Sequence, residues 1–97
     1  MPTDFAIQHD ADARVFEIRQ DGHRGILTYL LQAEDGRPVM TIDHTGVPLA
    51  ARGKGMAGAL VAAAFGEARR RGWRVRPSCS YAAVWAGRHP DAADLLA

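Results

Sequence analysis

Apolar and polar positions follow one rhythm in the first half of the chain and another in the second. Up to Pro48 the apolar residues come in short runs rich in β-branched and aromatic side chains, separated by turn signals. Phe5 to His9 reads as a first strand and Arg14 to Gln20 (RVFEIRQ) as a second, carrying Val15, Phe16 and Ile18. Asp21-Gly22 marks a hairpin turn. Gly25 to Ala33 (GILTYLLQA) reads as a third strand, and Glu34-Asp35-Gly36 as the next turn. Val39 to Val47 (VMTIDHTGV) is a fourth strand, which Pro48 ends because it has no N–H to give a ladder. These four strands predict an antiparallel meander.

From Gly55 the period changes. Met56, Ala57, Leu60, Val61, Ala64, Phe65 and Ala68 recur at three- and four-residue spacings, the inner face of an amphipathic helix. Gly72 supplies the left-handed residue that commonly ends one. Trp73 to Pro77 reads as a fifth strand, Tyr81 to Arg88 as a short helix stopped by His89-Pro90, and Asp91 as the cap of a last turn through Leu96. The predicted order is β-β-β-β-α-β-α, an α+β fold in one domain over residues 1–97. A strand, a glycine-rich turn, a long helix and a strand make a βαβ crossover, so the fourth and fifth strands should run parallel.

Length and composition narrow the picture. The 97 residues leave no room for a second core. Twelve Lys and Arg face eleven Asp and Glu, a balance that predicts neither nucleic acid nor an anionic membrane as partner. The basic run Arg69-Arg70-Arg71 falls in the last helical turn, where cations suit the dipole. One cysteine, Cys79, suits a reducing compartment, and the acidic start MPTDFAIQHD has no secretory core, so a cytoplasmic location is expected. No His, Cys, Asp or Glu cluster has metal-ligand spacing, and no metal is expected. Trp73 and Trp85 read as packing residues. The exposed first strand could pair with a copy of itself, giving a monomer or a weak homodimer.

The densest signal is ARGKGMAGAL, residues 51–60. It sits after a strand and before a helix, where unpaired amides and the positive end of the dipole suit a phosphate. Gly53, Gly55 and Gly58 spell G-x-G-x-x-G, but the context of a dinucleotide fold is missing. That fold wants the loop after its first strand and an acid about 20 residues later. Here the loop follows the fourth strand, and no Asp or Glu stands between Glu67 and Asp91. A Walker A loop is excluded because Ala59-Leu60 follows Gly58.

A second frame, Arg52-x-x-Gly55-x-Ala57, resembles the R/Q-x-x-G-x-G/A signature of the GNAT superfamily of acetyltransferases. His44-Thr45-Gly46-Val47-Pro48, Pro77-Ser78-Cys79-Ser80-Tyr81 and His89-Pro90 resemble further motifs of a small single-domain branch of that superfamily. The resemblance runs from about residue 5 to 96 and implies a minimal GNAT-like fold that binds acetyl-CoA. It implies that the diphosphate rests on amides from Gly53 to Gly58, including those of Lys54, Met56 and Ala57. Arg52 or Lys54 would add charge, and the pantetheine arm would pair with backbone from Thr45 to Val47. The implied activity is N-acetyl transfer to an unidentified small-molecule or peptide amine. The alternative is a module that binds acyl-CoA or CoA without turnover.

Two features depart from the family pattern. Gly46 stands where members of the branch often carry an acid, and the helices that usually follow the first strand are missing. The first removes a candidate base; the second leaves the acceptor site open. An alkyl-ammonium of pKa about 10 must lose a proton before attack, and a base near 6–7 suits the task. His44 is the candidate, its other reading being a strand histidine with its bonds satisfied. Cys79 could take the acetyl group or protonate the leaving thiolate, or be a small buried apolar residue. Tyr81 could be the acid, or an aromatic anchor for the short helix.

Overall fold

A computed structural model describes residues 6–97; Phe5, at the start of the first expected strand, lies outside them. Five strands form one sheet in the order β1-β2-β3-β4-β5. They are β1 (Ala6–Asp10), β2 (Val15–Gln20), β3 (His23–Glu34), β4 (Arg37–Gly46) and β5 (Arg74–Pro77). The first four are antiparallel, and β5 runs parallel to β4 from Val39↔Arg74 to Ile42↔Pro77. Helices α1 (Met56–Arg71) and α2 (Ser80–Gly87) flank β5, with 3-10 segments at Leu49–Ala51 and Pro90–Leu95. The mixed sheet and its crossover match the expected GNAT-like architecture.

The two hairpins that fix the register follow from Asp-Gly pairs. Asp21 and Gly22 have φ of 52° and 78°, and Asp35 and Gly36 of 53° and 76°. Positive φ at both central residues is the type I′ turn, whose twist matches that of the strands it joins. Because each turn takes only two residues, β3 and β4 run longer than the apolar stretches alone indicate. β3 starts at His23, two residues before Gly25, and β4 at Arg37, two before Val39.

Alternation buries one sheet face. Phe16, Ile18, Leu27, Tyr29, Met40, Ile42 and Val75 pack against Leu60, Val61, Ala64, Phe65 and Ala68 of α1. α2 joins the same layer through the Phe65–Trp85 rings, 4.9 Å apart, and Arg69 ties α1 to Asp94 of the C-terminal segment. The other face stays open at Leu30, which is 49% exposed.

The C-terminal half differs from expectation at three places. Trp73 is buried but precedes β5. Its N–H donates to the Ala68 carbonyl at 2.9 Å, which closes the end of α1 around the left-handed Gly72. The last turn is 3-10, with His89 rather than Asp91 at its cap and Pro90 in its first turn. Glu67 is 5% exposed, a buried charge inside the apolar stripe. Its carboxylate takes Arg70 and Arg71, and lies 3.7 Å from His9 Nδ1. The basic run is therefore held by carboxylates, since Arg69 binds Asp94 through both terminal nitrogens.

Candidate functional site

β4 and β5 part company after Ile42↔Pro77. The amides of both Ser78 and Cys79 close on the Ile42 carbonyl, at 3.0 and 2.9 Å, which turns the chain away from β4. From Asp43 onward the β5 side of β4 has no ladder partner among the described residues, while β3 continues along the other side. Asp43 is an extra residue there. Thr28 pairs with His44 and Tyr29 with Ile42, so the strand bulges at Asp43.

The opening between the end of β4 and the head of α1 is a cleft of about 660 Å³. β4 and its exit supply His44, Thr45, Gly46 and Val47, the loop supplies Ala51 to Gly53, the start of α1 supplies Gly55 to Ala57, and α2 supplies Tyr81. Nine of the residues singled out by sequence thus share one wall: His44, Thr45, Val47, Arg52, Gly53, Gly55, Met56, Ala57 and Tyr81. Lys54, Gly58 and Cys79 do not line it. Lys54 is exposed between Gly53 and Gly55 of the loop, and Gly58 lies inside the first turn of the helix.

The loop is shaped by Gly53 and Gly55, with φ of 83° and 86°. Left-handed backbone at both lets the chain fold back onto the helix axis without a Cβ clash. Gly55 is the N-cap; no side chain caps this end, and the first turn has no acid. Intrahelical bonding starts with the Ala59 amide on the Gly55 carbonyl, at 3.0 Å. The N–H groups of Met56, Ala57 and Gly58 precede it and keep their donors for a ligand. Met56 is 1% exposed, its side chain filling the core, so it has only its backbone to offer. Arg52 Nε donates weakly to the Val47 carbonyl, 3.4 Å, across the mouth of the loop.

Three side chains carry the chemistry. The His44 ring is exposed and lies over Gly46: a Cβ built on Gly46 would stand 2.8 Å from Nε2. The absent side chain at 46 and the position of the imidazole are therefore one feature. Tyr81 is 43% exposed, and its hydroxyl reaches over the head of α1, 3.5 Å from where a Gly58 Cβ would sit. Cys79 is half-buried at the N-cap of α2. Burial pushes its thiol up, but the Ala82 amide, the Thr45 hydroxyl and the amides of Tyr81 and Thr45 outweigh burial and hold it below the ordinary cysteine value. Thr45 Oγ1 is itself buried without a hydrogen-bond partner of ordinary geometry. A ligand amide entering the cleft would supply one, and the uncapped amides of α1 would receive an anion. These residues fit coenzyme A.

His89-Pro90 plays no part in the cleft. The His89 ring stacks on Trp85 at 3.8 Å, and Nδ1 lies 2.7 Å from the Trp85 carbonyl, closing the end of α2. Among the described residues no group of side chains could hold a metal ion, and no helix is long and apolar enough to cross a membrane. Sequence reasoning missed the bulge and the packing of His44 on Gly46. The signal for the bulge was the run of three polar residues, Asp43-His44-Thr45, that follows Ile42 where alternation would return an apolar residue at 44.

A family model described as GCN5-related N-acetyl-transferase matches residues 15–95. Among solved structures, the crystal structure of a ribosomal-protein-alanine N-acetyltransferase from Brucella melitensis biovar Abortus 2308 superposes with a TM-score of 0.50 at 22% identity. The match covers 84% of this chain and 64% of that one, and at such identity the likeness is one of fold. No curated protein matches the chain.

Proposed function

The chain belongs to the GCN5-related N-acetyltransferase family, and we propose that it moves the acetyl group of acetyl-CoA to the nitrogen of an amine acceptor. The observation that carries this reading is the joining, in one cleft, of an unladdered strand end (His44–Gly46) with an uncapped helix head (Gly55–Ala57). The α1 amides would receive the diphosphate, helped by the dipole and by Arg52. Backbone from Thr45 to Val47 would pair with the pantetheine amides.

When bound, acetyl-CoA supplies a thioester, whose acyl carbon accepts the amine and whose sulfur leaves as thiolate. His44 is the base that takes the proton of the incoming ammonium. It reaches the cleft because Gly46 leaves the space above the strand free. Tyr81, whose hydroxyl points over the same opening, is the donor to the departing sulfur. Cys79 shares that role or takes the acetyl group itself; its thiolate is favoured by the start of α2 and by Thr45. One observation favours the alternative, a module that binds acyl-CoA without turnover: no carboxylate lines the cleft.

Incubation with acetyl-CoA and an amine panel, following CoA release and intact mass, tests the reading. Release that depends on an amine supports it. Binding without release, to any amine, selects the module.

A further inference from the structure

Both helices pack on one face of the sheet, and His44, paired with Thr28, projects from the other, where a second substrate can approach it. Beside the reacting end of β3 and β4 that face bears Glu17 and Asp43, while Glu34 stands at the far end of the same two strands. Glu17 is bound by Arg19 and Arg24, and Glu34 is bound by Arg76. Asp43 has no cationic partner among the described residues. It is exposed, and it is the residue that the bulge adds to β4. Thr28 holds it: the Thr28 hydroxyl donates to Asp43 Oδ1 at 2.6 Å, while the Thr28 backbone pairs with His44. Thr28, Asp43 and His44 therefore point to the same side. An ordinary strand would have sent Asp43 and His44 to opposite faces.

We propose that Asp43 is the specificity residue of the acceptor site and selects amines that carry a second positive charge. This rests on the acetyl-transfer reading above. The carboxylate binds the charge that the acceptor keeps, while His44, one residue on, takes the proton from the nitrogen that reacts. Asp43 does not grip the reacting nitrogen, because an adjacent anion stabilises an ammonium and would hinder its deprotonation. Arg19 and Arg24 share Glu17, and Arg76 is paired with Glu34, so none of the three binds Asp43.

Diaminobutane and butylamine, equal in chain length and differing in the second ammonium, are the probes. In the unaltered protein diaminobutane should have a KM about fivefold lower, the value of one exposed ion pair. Asp43→Asn keeps the acceptor oxygen for Thr28 and removes the charge; it should erase that difference while leaving kcat within about twofold. Thr28→Val, which frees the carboxylate, should erase part of it. Equal KM values for the two amines, or a loss that Asp43→Asn imposes on both alike, would overturn the proposal. A titration of diaminobutane into the CoA complex, read on the His44 ring and Asp43 amide resonances, tests the contact without turnover, and no shift there also overturns it. Failure of CoA to raise the melting temperature of the unaltered protein would instead mark failure of the underlying reading, and the proposal would fall with it.

Discussion

The His44 imidazole occupies the space that a side chain at Gly46 would fill, with Nε2 2.8 Å from the position of the missing Cβ. The two residues stand on the same side of β4, one strand repeat apart. Where the family pattern often places an acid at this point, the chain has exchanged a side chain at one position for room at another.

Gly46→Ala should therefore displace the ring and lower kcat by at least tenfold. Folding should be little affected, since the nearest atoms are the far end of a movable side chain. His44→Gln should cost about 100-fold in kcat. Steady-state kinetics with a melting curve for each variant checks both. An unchanged kcat in His44→Gln would exclude His44 as the base.

Gly53 carries φ of 83° with open space around it, so a side chain there meets strain and not a clash. Gly53→Ala should lose about 1 kcal/mol of stability, the cost of left-handed backbone with a Cβ. It should also weaken CoA binding, because the loop amides move. Denaturant unfolding and CoA titration measure the two effects.

Much of the fold was legible because strong local chemistry coincided with the pattern. The Asp-Gly pairs fixed two hairpins, and the three- and four-residue spacing after Gly55 fixed α1. The candidate site was legible as a set of backbone positions around the glycine loop. What escaped was tertiary. Glu67 sits in the apolar stripe and is buried only because Arg70 and Arg71 on its own helix, with His9 from the edge strand, surround its carboxylate. The bulge at Asp43 is set by pairing with β3, a long-range choice that alternation alone does not encode. Cys79 was readable as a residue but not as an N-cap facing Thr45.

The edge strand is held by a half-buried polar contact, which gives stability a pH dependence. His9 stacks on Phe16 at 4.1 Å and its Nε2 lies 2.6 Å from the Tyr29 hydroxyl. Burial lowers the His9 pKa below 6.5, helped by Arg71 and Arg70 and opposed by Asp10; Glu67, although 3.7 Å away, is engaged by the two arginines. The unfolded chain thus binds the proton more readily than the folded one. Stability should be fully present above about pH 6.5 and should decline as pH falls through that value. His9→Gln should flatten the decline between pH 6.5 and 5. The paired acids Glu17, Glu34 and Asp94, all lowered by arginine partners, act only near and below their ordinary values of 4.5, 4.5 and 3.8.

Glu67→Gln should destabilise the fold by about 2 kcal/mol, since it removes the ion pairs of a buried carboxylate with Arg70 and Arg71 and leaves a buried amide in its place. Activity per folded molecule should be unchanged, because Glu67 lies at the opposite end of α1 from the cleft. Urea unfolding beside a turnover assay separates the two.

The most direct test of the central claim is a titration of CoA followed by backbone amide resonances and thermal unfolding. Met56, Ala57 and Gly58, with Gly53 and Gly55, should shift on binding, and a hundredfold excess over the dissociation constant should add about 2.7 kcal/mol of stability. Unmoved resonances at the head of α1 and an unchanged melting curve at millimolar CoA would contradict it.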